Sequence, residues 1–116
     1  RHGITPVLAL PLPVHVGLAV ENDFSPPWDG YDRFTGQLKL LAEKVTRYAA
    51  DSEVVLVNLY RPFFSENGEI HAGLFLPDGL HPNKDGHRVV AVTVGQTFSK
   101  NFLFPVQVAA ASAENK

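Results

Sequence analysis

Apolar residues along this chain fall into two kinds of run, and the two predict different elements. Residues 4–12, Ile-Thr-Pro-Val-Leu-Ala-Leu-Pro-Leu, are almost continuously apolar between Gly3 and Pro13. A short unbroken run of this kind predicts a strand buried on both faces, as in a parallel sheet. Pro6 falls at its beginning, where a missing amide donor is tolerated. Residues 14–30 mix Pro and Gly with Phe24, Trp28 and polar side chains, which reads as a long loop. Then Tyr31, Phe34, Leu38, Leu41, Val45 and Tyr48 recur at steps of three and four, while Gln37, Lys39, Glu43, Lys44 and Arg47 fall between them. That spacing predicts one apolar face of an amphipathic helix, with Asp29 as its candidate cap. Asp51-Ser52 ends it. A second β-branched run at residues 54–59 has the pattern of a central strand, and a mixed segment after Arg61-Pro62 turns at Glu66-Asn67-Gly68. Residues 88–94 alternate well enough for a strand, but His87, Val90, Ala91, Val94, Phe98 and Phe102 keep helical spacing over a longer window, and length decides for a helix. Beyond Pro105 the apolar character fades into an Ala-rich tail, expected to fray over residues 105–116.

The order strand, loop, helix, strand, loop, helix predicts an α/β domain with a parallel sheet over residues 1–104. Two strands leave both edges of that sheet open, whereas parallel sheets are normally wider and covered on both faces. The expectation is therefore an incomplete fold whose missing strands come from another chain or from residues outside this sequence. The lack of any Met, and a start at Arg1-His2-Gly3 that runs straight into an apolar strand, add the expectation of a fragment or a processed chain.

Composition narrows the functional classes. With 116 residues, 45% of them apolar, the chain can bury one modest core. The net charge is −2 with both signs dispersed and no basic cluster, so electrostatic affinity for nucleic acid is not indicated. No apolar run is long enough to span a bilayer. Absence of Cys excludes disulfides and thiolate metal sites, and leaves the compartment open.

The chemistry-bearing stretch is residues 76–90, Leu-Pro-Asp-Gly-Leu-His-Pro-Asn-Lys-Asp-Gly-His-Arg-Val-Val. Pro77, Gly79 and Pro82 prevent a long regular element, so Asp78 and His81 lie in a shaped loop, and Asn83-Lys84 opens a helix behind them. Two readings fit the pair. In one, Asp78 caps a backbone amide in a turn and His81 is merely exposed. In the other, Asp78 holds one ring nitrogen of His81 and fixes its tautomer, leaving the second nitrogen to take a proton from a nucleophile. Imidazole suits that task because it titrates close to neutrality and a carboxylate stabilises the cation it forms.

Pro77-Asp78-Gly79-Leu80-His81-Pro82-Asn83, followed by Gly86-His87, resembles the last sequence block of the GDSL or SGNH hydrolases, a family of esterases, lipases and other acyl hydrolases. His2-Gly3-Ile4 with residues 7–13 resembles the family strand that ends in a Leu-Pro motif, residues 29–50 its following helix and residues 54–60 its next strand. The resemblance implies a flavodoxin-like three-layer α/β sandwich with a parallel sheet, of which this chain would supply the C-terminal half. It implies that His81 is the general base, then general acid, and Asp78 its orienting carboxylate, in a Ser-His-Asp triad that needs no cofactor. The implied substrate is an ester: a small molecule, an acetylated sugar or a lipid.

The Gly-Asp-Ser block and oxyanion donors that the resemblance implies have no match in these residues, and are expected upstream of Arg1. Ser25, in Asp23-Phe24-Ser25-Pro26-Pro27, lacks the sharp glycine-flanked turn that exposes a nucleophile, and Ser52, Ser65 and Ser99 read as turn or surface residues. Glu21-Asn22-Asp23 superficially matches the family's Gly-x-Asn-Asp block, but lies on the wrong side of the strand and has no Gly. Asn58 stands where many family members carry an acid. His87 reads as a packing or capping residue of the last helix, and His2, His15 and His71 as surface or loop residues. Trp28, Phe24, Phe63, Phe64, Phe75 and Leu76 are candidates for an acyl or aryl pocket. Two other classes stay open: a non-catalytic binding domain that keeps the loop and pairs through an open sheet edge, and a metal-dependent hydrolase built on Asp78, His81 and His87, whose spacing matches no closed metal motif.

Overall fold

The computed structural model describes residues 3–25 and 30–102. His2, Trp28, the Asp29 cap and the tail at 105–116 lie outside the described residues, with the expectations that rest on them. The elements are β1 (Val7–Ala9), α1 (Val16–Glu21), α2 (Gly30–Asp51), β2 (Val55–Val57), two 3-10 turns (Arg61–Phe63 and Ala72–Leu74) and α3 (Lys84–Asn101).

The strands pair parallel, in the register Val7 with Val55, Leu8 with Leu56 and Ala9 with Val57, and the Leu10 amide continues the ladder to the Val57 carbonyl at 2.9 Å. Both are shorter than the apolar runs that predicted them. Pro6 and Pro11 lack the amide a ladder needs, so β1 stops between them. Nor is β1 buried on both faces. Val7 and Leu8 are half-buried and Ala9 is exposed, because β2 is its one neighbour among the described residues. β2 is no central strand here for the same reason. It ends where Asn58 bends the chain: the Asn58 Oδ1 accepts from the Tyr60 and Arg61 amides at 3.1 and 2.9 Å and starts the first 3-10 turn. That is a local structural role for Asn58.

A second correction concerns residues 14–30. They are not a continuous loop, since α1 occupies Val16–Glu21. With fewer than two turns it is too short for a helical period to show, and its cap is a His rather than one of the usual Ser, Thr, Asp or Asn. α1 and α2 stop in the same manner. Asp23 and Glu53 take left-handed backbone (φ 58° and 55°), and the next amide in each case, Phe24 or Val54, reaches back to Ala19 or Ala49 at 2.9 Å. This is the Schellman arrangement, with an acidic residue where Gly is the usual choice.

α2 and α3 both pack on β2, and α3 also packs on the two 3-10 turns. The core includes Phe63 and Phe75, whose rings are 5.4 Å apart and tilted, and Leu10, Val14 and Val57 are buried as well. Burying each aromatic contributes roughly 1.5–3 kcal/mol relative to exposure. α2 presents Ala42 and Ala49 fully to this core, while Leu41 and Tyr48 of the predicted stripe remain 48% and 61% exposed. No helix among the described residues is long and apolar enough to cross a membrane.

Candidate active site

Asp78 and His81 sit on a turn built by three local devices. Pro77 presets the first corner, and the Gly79 amide closes the turn onto the Leu76 carbonyl at 2.9 Å. Gly79 then takes φ +70°, a left-handed backbone that suits glycine. The Asp78 Oδ1 accepts from the Leu80 and His81 amides at 2.9 and 3.0 Å, which curls the chain back so that residue 81 faces residue 78. The second carboxylate oxygen, Oδ2, accepts from the His81 ring Nδ1 at 2.5 Å. One carboxylate thus makes both kinds of contact: one oxygen is an amide cap, the other holds the imidazole.

Electrostatics follow from that geometry. Burial, which leaves the Asp78 side chain 17% exposed, pushes its carboxyl up. The His81 amide and ring hydrogen bonds, the Leu80 amide and the His81 charge outweigh it and bring the group from the ordinary 3.8 down to about 2. Asp78 is therefore a carboxylate at any pH near neutrality. With Nδ1–H donating to it, the acceptor edge of the imidazole is Nε2. The His81 side chain is 72% exposed, and no hydroxyl among the described residues hydrogen-bonds to it. The pair is oriented and open.

The turn is seated from both sides. Behind it, Phe75 bridges to Pro82 and the Leu76 amide donates to the His81 carbonyl at 2.8 Å. Asn83 ties the start of α3 to the second 3-10 turn. Its Oδ1 caps the Gly86 amide at 3.0 Å, and its Nδ2 donates to the Gly73 and Phe75 carbonyls at 2.8 and 3.2 Å. Gly86 is buried there, and a Cβ would collide with the Leu74 carbonyl oxygen and the Pro82 ring. In front, the Gly79 carbonyl accepts from the His15 amide at 2.8 Å, and a Cβ on Gly79 would collide with the His15 carbonyl oxygen. The sequence signalled Gly79 only as a loop former and Gly86 only as part of the resembling block. Their close contacts needed the fold.

The other candidates disperse. Ser25 is exposed and its carbonyl accepts from the Tyr31 hydroxyl at 3.2 Å. Ser65 donates its hydroxyl to Asn67 and to the Glu69 carbonyl within the predicted 66–68 turn, and Ser52 and Ser99 are exposed. Phe63 and Phe75 are core rather than pocket lining, whereas Phe24 and Leu76 are about half exposed. His87 and His71 are exposed, but His15 is half-buried and caps α1. Among the described residues, no three His, Asp or Glu side chains converge to hold a metal ion, so Asp78, His81 and His87 do not form such a group. The segment carrying Asp78 and His81 does not leave a strand directly. It follows β2 by way of both 3-10 turns.

Two solved structures share this fold. One is the esterase domain of the ORF1 protein of the zebrafish ZfL2-1 retrotransposon, with 19% identity and a TM-score of 0.61 over 84% of this chain and 48% of that one. The other is a proposed acylhydrolase of Bacteroides fragilis, with 21% identity and a TM-score of 0.63 over 84% of this chain and 43% of that one. No protein-family model and no curated protein matches the chain. At such identities the likeness is one of fold, an α/β arrangement around parallel strands. This chain spans less than half the length of either structure.

Proposed function

We propose that this chain is the base-bearing half of an SGNH-type serine ester hydrolase with a flavodoxin-like sandwich, in which His81 and Asp78 are two members of a Ser-His-Asp triad. The single observation that carries the reading is the 2.5 Å contact between the Asp78 Oδ2 and the His81 Nδ1, with the opposite ring edge open to solvent. The last-block resemblance and the two neighbours of like fold support it. The nucleophile and oxyanion donors are assigned to residues upstream of Arg1 that add strands to the open sheet.

In the assembled site the His81 Nε2 takes the hydroxyl proton as the serine oxygen adds to the ester carbonyl. The imidazolium formed lies against Asp78, which stays ionised throughout. Nε2 then returns the proton to the departing alkoxide, leaving an acyl-serine and the free alcohol. Water repeats the sequence, giving up a proton to Nε2 as it adds, and the acid product leaves while the proton goes back to the serine.

The test is hydrolysis of a short p-nitrophenyl ester by a polypeptide that carries both this chain and the upstream serine segment. His81→Ala should lower kcat/KM by roughly 10³-fold or more while the circular dichroism spectrum stays unchanged. Turnover that survives the substitution refutes the assignment. Labelling of the 116-residue chain alone by a fluorophosphonate would refute placing the serine upstream.

A further inference from the structure

We propose that His15 is a positioning residue for the Asp78–His81 turn, and that its protonation unseats that turn. The catalytic consequence rests on the hydrolase reading above; the structural one does not.

α1 is six residues long, has no acidic residue in its first turn, and is capped by the His15 Nδ1, which accepts from the Leu18 amide at 3.1 Å. A ring nitrogen that accepts an amide proton carries none of its own, so the proton of this imidazole is on Nε2. Protonation converts Nδ1 from acceptor to donor. It breaks the cap and puts a cation beside amides that already point their hydrogens outward at a helix start. So short a helix has few other bonds with which to hold its shape.

α1 is also the seat of the site. The His15 amide donates to the Gly79 carbonyl, and the space where Gly79 lacks a Cβ is filled by the His15 carbonyl oxygen and the Ala19 amide. Gly79 lies between Asp78 and Leu80, the residue whose amide Asp78 holds. The imidazole lies over Gly17, where a Cβ would come within 3.1 Å of its Cε1, and beside Phe75 at 6.3 Å between ring centroids. It also faces a cleft of about 510 Å³. Glu69 lines that cleft together with His15, and Asp78 and His81 flank Gly79, which packs on the His15 backbone. α2 contributes the uncharged Thr35 to the cleft.

Protonation of His15 and protonation of His81 each impair the site. The acid limb of log kcat/KM should therefore approach a slope of two. His15→Asn keeps a cap acceptor that does not titrate, and should return the slope to one. His15→Ala removes the cap and should lower kcat/KM about fivefold even on the alkaline plateau. A wild-type slope of one overturns the proposal.

A readout independent of turnover uses the 116-residue chain carrying His81→Gln, so that only other groups titrate. There the Gly79 and Leu80 amide resonances should move with the His15 ring signals as the pH is lowered, and stand still once His15→Asn is added. Amides that ignore His15, or that still move in the double variant, overturn the proposal. Coupled amides in a protein without esterase activity would sustain the coupling and refute only the hydrolase reading.

Discussion

The site turn and the long helix α2 are both written clearly in the sequence, yet only the turn keeps what was written. The turn amide, the two side-chain caps and the ring contact that shape residues 78–81 each span no more than three residues. α2 forms over nearly the predicted span, but the predicted face only partly meets the core. The helix seats Ala42 and Ala49, and Leu41 and Tyr48 stand out toward solvent. Local hydrogen bonds determine a conformation without reference to what lies beyond. An apolar stripe determines only that something should cover it.

This contrast can be broken first at Gly79. Ala there must hold a left-handed backbone and push its Cβ against the His15 carbonyl. Urea unfolding should show a loss of about 2–4 kcal/mol, and a loss below 0.5 kcal/mol would mean that the seat on α1 is soft. Asn83→Ala comes next. It deletes a helix cap and two hydrogen bonds to the second 3-10 turn, and an expected cost of about 1–2 kcal/mol would be measured in the same way.

The Asp78–His81 pair gives a smaller effect, with a pH signature. The Asp78 carboxyl is depressed in the folded protein to about 2, so its stabilisation is fully present above its unfolded value of about 3.9. It is lost as pH falls through the folded value. The stability gap between the protein and its Asp78→Asn variant should close as pH falls from about 4 toward 2. A gap that does not vary across that acid range would show that the carboxylate is not held as described. The least effect is expected on α2. Tyr48→Lys should change the stability of this chain by no more than about 0.5 kcal/mol. If further strands and helices cover that stripe in a longer polypeptide, the same substitution should cost more there, and comparing the two unfolding curves tests the proposed completion of the sheet.

The strands, the two long helices, the Asn83 start of α3, the 66–68 turn and the shaped loop at Asp78–His81 were all legible, because each depends on residues close in sequence: apolar runs, a helical period, a cap, a Pro-Asp-Gly corner. α1 was not, since six residues show no period and a His is a poor advertisement for a cap. Strand length was overread. An apolar run marks what can be buried, whereas a strand extends only as far as a partner's amides and carbonyls meet it. The aromatic residues near the site gave no sign of which were core, and only packing separated Phe63 and Phe75 from the exposed Phe24. The sequence alone determined the geometry of an acid and an imidazole that face each other, because that geometry closes within one turn. Only the tertiary structure decided what the turn rests on, the backbone of His15 before it and Gly86 behind it, because those contacts join residues far apart in the chain and depend on side chains that are absent.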